Sequence, residues 1–245
     1  MIEGWTPVEV GESDTSVYRR GEVFAKCCGP SGIADLAAER DRVEWLAGTG
    51  LPGASVVDWS ESSDGACLKT TAVPGVRGDT LPPSAHDRAM RHLGTVLSEL
   101  HSLTDCPFER PLASVVAAAE DVVRRDAVNP AFLTDEWRQL KPSELLEQVV
   151  AERPYVESVA ELVVCHGDMC LPNVIFDPSS LEVTGLIDLG RLGVADRYTD
   201  LALATIQLQD EWSADPAPFL EAYGLPDPDP RRLHFFRLLD PLTWG

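Results

Sequence analysis

The hydrophobic pattern of this chain changes its period once, and the change falls on the run Val73-Pro-Gly-Val-Arg-Gly-Asp-Thr-Leu-Pro-Pro83. Before it, short alternating runs at 8–10, 16–19, 23–26, 55–59 and 66–73 surround a single helical stretch, 33–47, which Gly48 and Gly50 close. After it the apolar residues recur at helical spacing over 85–103, 112–126, 143–152, 197–209, 216–223 and 230–239. That series is broken by a buried-looking strand at 162–165 and a hairpin pairing 173–176 with 182–188. Alternation suits a half-buried strand and a period near 3.6 suits a helix, while a Pro/Gly run serves neither and reads as a hinge. The pattern therefore predicts an α+β chain of two lobes: a strand-rich one with one helix over 1–73, and a larger helical one over 74–245.

Composition narrows the partners. The 245 residues hold 40 acids against 20 bases, a formal charge of −20. Such a surface repels a phosphate backbone, which excludes nucleic-acid binding through a basic face, and it attracts a polycationic small molecule. The first residues have no cationic start followed by an apolar core, and no apolar run approaches the ~20 residues needed to span a bilayer. No membrane association and no obligate protein partner are expected, and the cytoplasm is the expected compartment. All six cysteines are expected to be reduced thiols in that setting. The vicinal pair Cys27-Cys28 is read as packing rather than redox chemistry.

Two groups of residues carry chemistry. Leu36, Val43, Leu46 and Ala47 form one apolar arc of the 33–47 helix, and Glu39 lies inside it. A carboxylate on a buried face needs a partner. Lys26, ending the preceding strand and one of only three lysines, is the natural one, although a solvated lysine and a surface glutamate satisfy the same positions. The second group is His166-Gly-Asp-Met-Cys-Leu-Pro-Asn173, a loop between a buried strand and a hairpin. Asp168 can orient a hydroxyl and the Asn173 carbonyl can ligate Mg²⁺. Fifteen residues on, Leu186-Ile-Asp-Leu-Gly-Arg191 offers Asp188 as a second hard oxygen ligand. Either loop alone is accounted for by turn-capping aspartates. Both in this order, with a lysine–glutamate pair upstream, are not.

Lys26, Glu39, His166-Gly-Asp-x-x-x-x-Asn173 and Ile187-Asp-x-Gly-Arg191 together resemble the aminoglycoside phosphotransferases, a family with the protein-kinase-like fold. The resemblance spans essentially the whole chain. The stretches Asp105-Cys-Pro-Phe-Glu-Arg110 and Leu239-Asp-Pro-Leu-Thr-Trp-Gly245 look most like its streptomycin 3″ branch.

The resemblance implies an antiparallel nucleotide-binding lobe and a mainly helical catalytic lobe. It implies that Asp168 faces the acceptor hydroxyl, that Asn173 and Asp188 hold Mg²⁺, and that Lys26, anchored by Glu39, binds the α/β-phosphates of ATP. Asp200 would brace the catalytic loop, and Asp240, helped by the Gly245 carboxylate, would contact a cationic, streptomycin-like substrate. Backbone groups around Thr70 to Val73 would receive the base, GTP being possible in place of ATP. The loop Gly11-Glu-Ser-Asp-Thr-Ser16 has one glycine where protein kinases have three, so only its amides and the hydroxyls of Ser13, Thr15 and Ser16 can cap phosphates. The implied reaction is transfer of the ATP γ-phosphate to the streptomycin 3″-hydroxyl, giving antibiotic resistance. The alternatives are a kinase for another aminoglycoside or small alcohol, and a nucleotide-binding pseudokinase.

The remaining polar residues have simpler uses. Cys165-His166 and Cys170 lack the second ligand pair of a zinc site. His101 has no accompanying nucleophile and reads as a structural hydrogen-bonding residue. His166 is expected to position the catalytic loop.

Overall fold

In the computed structural model, which describes residues 4–8 and 15–245, the alternating runs before residue 73 assemble into one antiparallel sheet. Its strands are β1 (Thr6–Val8), β2 (Ser16–Arg20), β3 (Val23–Cys28), β4 (Val56–Ser62) and β5 (Gly65–Thr71), in the spatial order β1-β2-β3-β5-β4. The strand expected at 8–10 lies earlier, at Thr6–Val8, and positions 9 and 10 fall outside the described residues. On the central strand β3, Lys26 stands opposite Val17 on one side and Leu68 on the other. Because side chains alternate, Phe24, Lys26, Leu68 and Thr70 share a face. Helix α1 (Ile33–Ala47) lies against this sheet, where Leu36 joins Ala66 and Leu68 in a small core.

The cysteine expectation needs correction. The β3–β5 register sets Cys27 directly opposite Cys67, with Cα atoms 4.1 Å apart, and the two form a disulfide. Cys28, Cys106, Cys165 and Cys170 are free. Forty residues separate the bonded pair in sequence, so only strand register could reveal it. Cys27 is therefore no mere packing residue.

The Pro/Gly run holds more than a hinge. Within it β6 (Val76–Arg77) pairs with β8 (Val174–Phe176), which pairs with β9 (Val183–Leu186). Strand β7 (Leu162–Cys165) pairs with β10 (Gly193–Asp196), which the sequence reading missed because four residues beginning with glycine show no period. The helices are α2 (His86–Ser102), α3 (Leu112–Arg124), α4 (Pro142–Ser158), α5 (Tyr198–Asp210), α6 (Ala217–Tyr223) and α7 (Pro230–Leu239). Helix α4 continues past its expected end at 152 and through Pro154, carried by its buried residues Leu145, Val149 and Val156. Proline costs that helix one hydrogen bond, which an apolar face of this length outweighs.

On α2, Ala89, Met90, Leu93, Leu97 and Leu100 are buried at helical spacing and join Phe219 and Leu220 of α6, and Phe176 and Leu186 of the β8–β9 hairpin, in one core. The hairpin is thereby mounted on the helical core with its strand ends turned toward the first sheet. Two contacts tie the parts together: Arg42 Nε of α1 donates to the Leu192 carbonyl at 2.7 Å, and the Leu186 amide to that of Pro52 at 3.1 Å. Among the described residues, no helix is long and apolar enough to cross a membrane.

Candidate active site

Between the first sheet and the hairpin lies a cavity of about 580 Å³. Val8, Val17, Phe24, Ile175 and Leu186 supply apolar walls, and Lys26, Glu39, Asn173 and Asp188 the polar end. Glu39 is 8% exposed, as its place in the apolar arc of α1 requires. Its Oε2 accepts from Lys26 Nζ at 2.8 Å, and the same ammonium reaches Asp188 Oδ1 at 3.0 Å. Burial alone would lower the Lys26 pKa, but Glu39 and Asp188 outweigh it and hold the ammonium above its ordinary value. The lysine is thus a fixed positive charge at the polar end of the cavity.

Asp188 adopts left-handed backbone angles, φ 59° and ψ 60°. This conformation is uncommon for a residue with a side chain, and Asp is among the few that tolerate it. It stands two residues past the end of β9, and its neighbour Ile187 is held by two bonds between loops: the Ile187 amide donates to the Asn173 carbonyl, and His166 Nε2 to the Ile187 carbonyl, each at 3.0 Å. Asn173 Nδ2 in turn donates to Asp168, to Oδ2 at 2.9 Å and to the carbonyl at 3.0 Å. Asp168, Asn173 and Asp188 are therefore brought together by hydrogen bonds within and between their loops.

The bend before Asp168 depends on Gly167. Its φ is +82°, and a Cβ there would stand 2.2 Å from the Arg191 carbonyl oxygen. From behind, the buried Asp200 of α5 accepts from the amides of His166 at 2.7 Å and Gly167 at 2.8 Å. Burial would raise its carboxyl pKa, but His101 above all, with His166 and the Gly167 amide, brings it below the ordinary value. His101, Cys165 and Asp200 cluster closely enough to suggest a metal centre. Their polar atoms are already engaged: Cys165 Sγ donates to the carbonyls of Ala195 and Asp196, and His101 bonds to Asp200.

The other expected residues fall as follows. Thr70 and Val73 line the cavity. The Ala72 amide donates to the Glu22 carbonyl, so the next free amide along this edge, that of Val73, has no partner among the described residues. Ser16 opens β2 with Thr15 just before it, and that strand's residues lining the cavity are Val17 and Arg19. Ser13 lies outside the described residues. Asp240 pairs with Arg191 at 3.6 Å and accepts from Trp244 Nε1 at 3.3 Å. Burial pushes its carboxyl pKa up, Arg191 opposes this, and the nearby Asp168 adds to the rise. Gly245 sits apart from that cluster, against Val122 and Ala127 at the end of α3, its carbonyl accepting from Arg125.

Sequence reasoning gave Arg191 no role, although it closes the Ile-Asp-x-Gly-Arg motif. Its guanidinium lies 3.4 Å over the Trp244 ring and donates to Thr243 Oγ1 at 3.0 Å, fastening the C-terminal tail beside the loop that carries Asp188. The last position of that motif was the available signal.

A family model described as the phosphotransferase enzyme family matches residues 4–236. The chain belongs to this family. The phosphotransferase is 46% identical to the streptomycin 3''-kinase of Streptomyces griseus, over 98% of this chain and 93% of that protein. It is 40% identical to an aminoglycoside 3'-phosphotransferase of Streptomyces fradiae, over 96% of this chain and 94% of that one. Among solved structures it resembles aminoglycoside phosphotransferase APH(3'')-Id of Streptomyces rimosus in complex with ADP and streptomycin. There the TM-score is 0.91 at 41% identity, covering 99% of this chain and 93% of that one. The two-lobed, protein-kinase-like architecture expected from the sequence is the fold of this phosphotransferase.

The donor set suits a metal-bound nucleotide triphosphate. Asn173 and Asp188 present hard oxygen atoms, Lys26 a fixed cation, and the apolar walls a slot for a base. Lys26→Met in the phosphotransferase removes the charge and leaves Glu39 buried without a cation. The transfer rate is expected to fall by about 100-fold, the scale of losing one preorganised electrostatic donor. Steady-state kinetics at saturating Mg-ATP checks this, and a variant within a factor of two of wild type contradicts the role.

Proposed function

We propose that this phosphotransferase moves the γ-phosphoryl group of ATP to the 3''-hydroxyl of streptomycin. The observation that carries the reading is the meeting of Lys26, Asn173 and Asp188 at one cavity, with Asp168 hydrogen-bonded to Asn173 beside it, in a chain 46% identical to a streptomycin 3''-kinase. The relative in complex with ADP and streptomycin supports both ligands.

In this reading the base enters the apolar end of the cavity and receives a hydrogen bond from the Val73 amide. Lys26 Nζ, held by Glu39, pairs with the α/β-phosphates. Asn173 and Asp188 would hold Mg²⁺, which supplies charge neutralisation for the transferring group. Asp168, fixed through Oδ2 by Asn173, orients the acceptor hydroxyl and takes its hydrogen bond as the oxygen attacks in line. Asp240 offers a carboxylate to the cationic substrate, and the net charge of −20 raises the substrate's local concentration. A guanidinium-bearing ligand matches a carboxylate geometrically. The phosphate added to the antibiotic changes its charge where it must bind its target, which is how resistance would follow.

Mass spectrometry of streptomycin after incubation with the protein and Mg-ATP tests the reading. A product heavier by one phosphate, mapped to the 3'' position, is expected. Transfer to a different aminoglycoside or alcohol alone replaces the substrate assignment, and Mg-ATP binding without transfer to any acceptor replaces the enzyme with a nucleotide-binding module.

A further inference from the structure

Behind the catalytic loop runs a buried chain of polar groups that starts far from the cavity. Tyr223, the last residue of α6, places its hydroxyl 2.7 Å from His101 Nδ1. His101 Nε2 lies 3.1 Å from Asp200 Oδ2, and Asp200 holds the His166 and Gly167 amides. Tyr223, His101 and Asp200 are 6%, 7% and 0% exposed, so each polar atom must find its partner inside the protein.

The hydrogen bonds have one consistent direction. An ionised carboxylate only accepts, so Nε2 must carry a proton toward Asp200. In a neutral imidazole this leaves Nδ1 as an acceptor, and the group facing it is the Tyr223 hydroxyl, which donates. That hydroxyl keeps its proton: burial pushes the phenol pKa up to about 12, Arg197 opposing and Cys165 and Asp200 adding. Cys165 does not compete, since its thiol is turned to the carbonyls of Ala195 and Asp196.

Tyr223 reaches His101 because α6 lies unusually close to α2. The contact is at Gly94, where a Cβ would meet the Phe219 carbonyl oxygen at 2.3 Å and the Tyr223 amide nitrogen at 2.9 Å. A glycine in a helix interior is costly, and here it buries the tyrosine against the histidine one helix away from the site.

We propose that Tyr223 is a positioning residue for phosphoryl transfer: its hydroxyl holds His101 in the neutral Nε2–H tautomer and, through it, keeps Asp200 turned to the catalytic loop. The inference rests on the reading of Asp168 as the residue that orients the acceptor hydroxyl. With the hydroxyl gone, Nδ1 loses its donor, the ring is fixed by Asp200 alone, and the loop that carries Asp168 rests on a less firmly oriented carboxylate. A displacement of Asp168 by a fraction of an ångström slows transfer without altering either binding site.

Tyr223→Phe and His101→Gln, singly and together in the full chain, test this alongside ¹⁵N NMR of the histidine rings. Glutamine keeps a donor for Asp200 on an amide that has no tautomers. In the unmodified protein His101 should show a protonated Nε2 and an unprotonated Nδ1. Tyr223→Phe should move the Nδ1 signal toward that of an unbonded imine nitrogen and lower kcat about tenfold, with KM for Mg-ATP and for streptomycin within twofold. In the His101→Gln background, Tyr223→Phe should change kcat by less than twofold. An imidazolium or an Nδ1–H tautomer in the unmodified protein overturns the proposal. So does a Tyr223→Phe enzyme with unchanged kcat, or effects that multiply in the double variant. The NMR of the unmodified protein decides even if Tyr223→Phe does not fold. It also separates the two readings, because it stands whether or not streptomycin is the acceptor.

Discussion

Asp168→Asn is expected to lower the rate of phosphoryl transfer by about 10³-fold, within the range that positioned acid–base groups contribute. Asparagine keeps the size and one oxygen, so the hydrogen bond from Asn173 Nδ2, 2.9 Å in the unmodified protein, has an acceptor in the variant. The amide cannot accept a proton from the attacking hydroxyl. It also removes a negative charge beside Asp188, so affinity for Mg-ATP should hold or rise while kcat falls. Nucleotide titration and steady-state kinetics on the same preparation check both halves. Retained transfer, or loss of nucleotide binding together with activity, contradicts the assignment.

Arg232→Ala is expected to destabilise the protein by about 3–5 kcal/mol, the cost of breaking a buried ion pair from one side. Arg232, on α7, is 4% exposed and Asp196 5%, and the guanidinium donates to Asp196 Oδ1 at 2.7 Å and to Glu161 Oε1 at 3.2 Å. It also lies 3.8 Å over the Tyr198 ring, whose hydroxyl accepts from the Asp229 amide. Asp196 Oδ2 is already buried without a hydrogen-bond partner among the described residues, so losing the arginine strands a carboxylate. Burial holds the Asp196 pKa above its ordinary value, with the Tyr198 amide and Arg232 opposing. Without Arg232 it rises further.

The sign of the pH dependence follows. A carboxyl whose folded pKa exceeds its unfolded one binds more protons when folded, so stability falls as pH rises between the two values. The deficit of Arg232→Ala relative to the unmodified protein should therefore shrink on acidification toward the ordinary aspartate range. Denaturant unfolding at neutral and mildly acidic pH measures it. A deficit independent of pH rules out the stranded carboxylate as its cause. The same network seats α7 against α5, which carries Asp200, and α7 leads directly to Asp240.

Much of this was readable in residue order. Helix α1 stands at Ile33–Ala47, where the apolar spacing predicts it, because one amphipathic face and a pair of stop glycines define a helix locally. Glu39 was legible for the same reason: a charge within an apolar arc needs a partner, and Lys26 meets it at 2.8 Å. The loops carrying Asp168, Asn173 and Asp188 were legible because their residues lie within one local segment of chain.

What residue order by itself determined is whatever neighbours along the chain enforce: the helical and alternating periods, the turn residues, and the types of group available at each loop. Tertiary structure alone decided the rest, because those contacts join positions that no local rule connects. The strand register that faces Cys27 with Cys67, the pairing of Gly193–Asp196 with β7, the stacking of Arg191 on Trp244 and the reach of Tyr223 to His101 all depend on how separate elements pack. Hydrogen bonding and steric fit act through space, and a linear pattern carries them only when both partners share a turn, a helix or a hairpin.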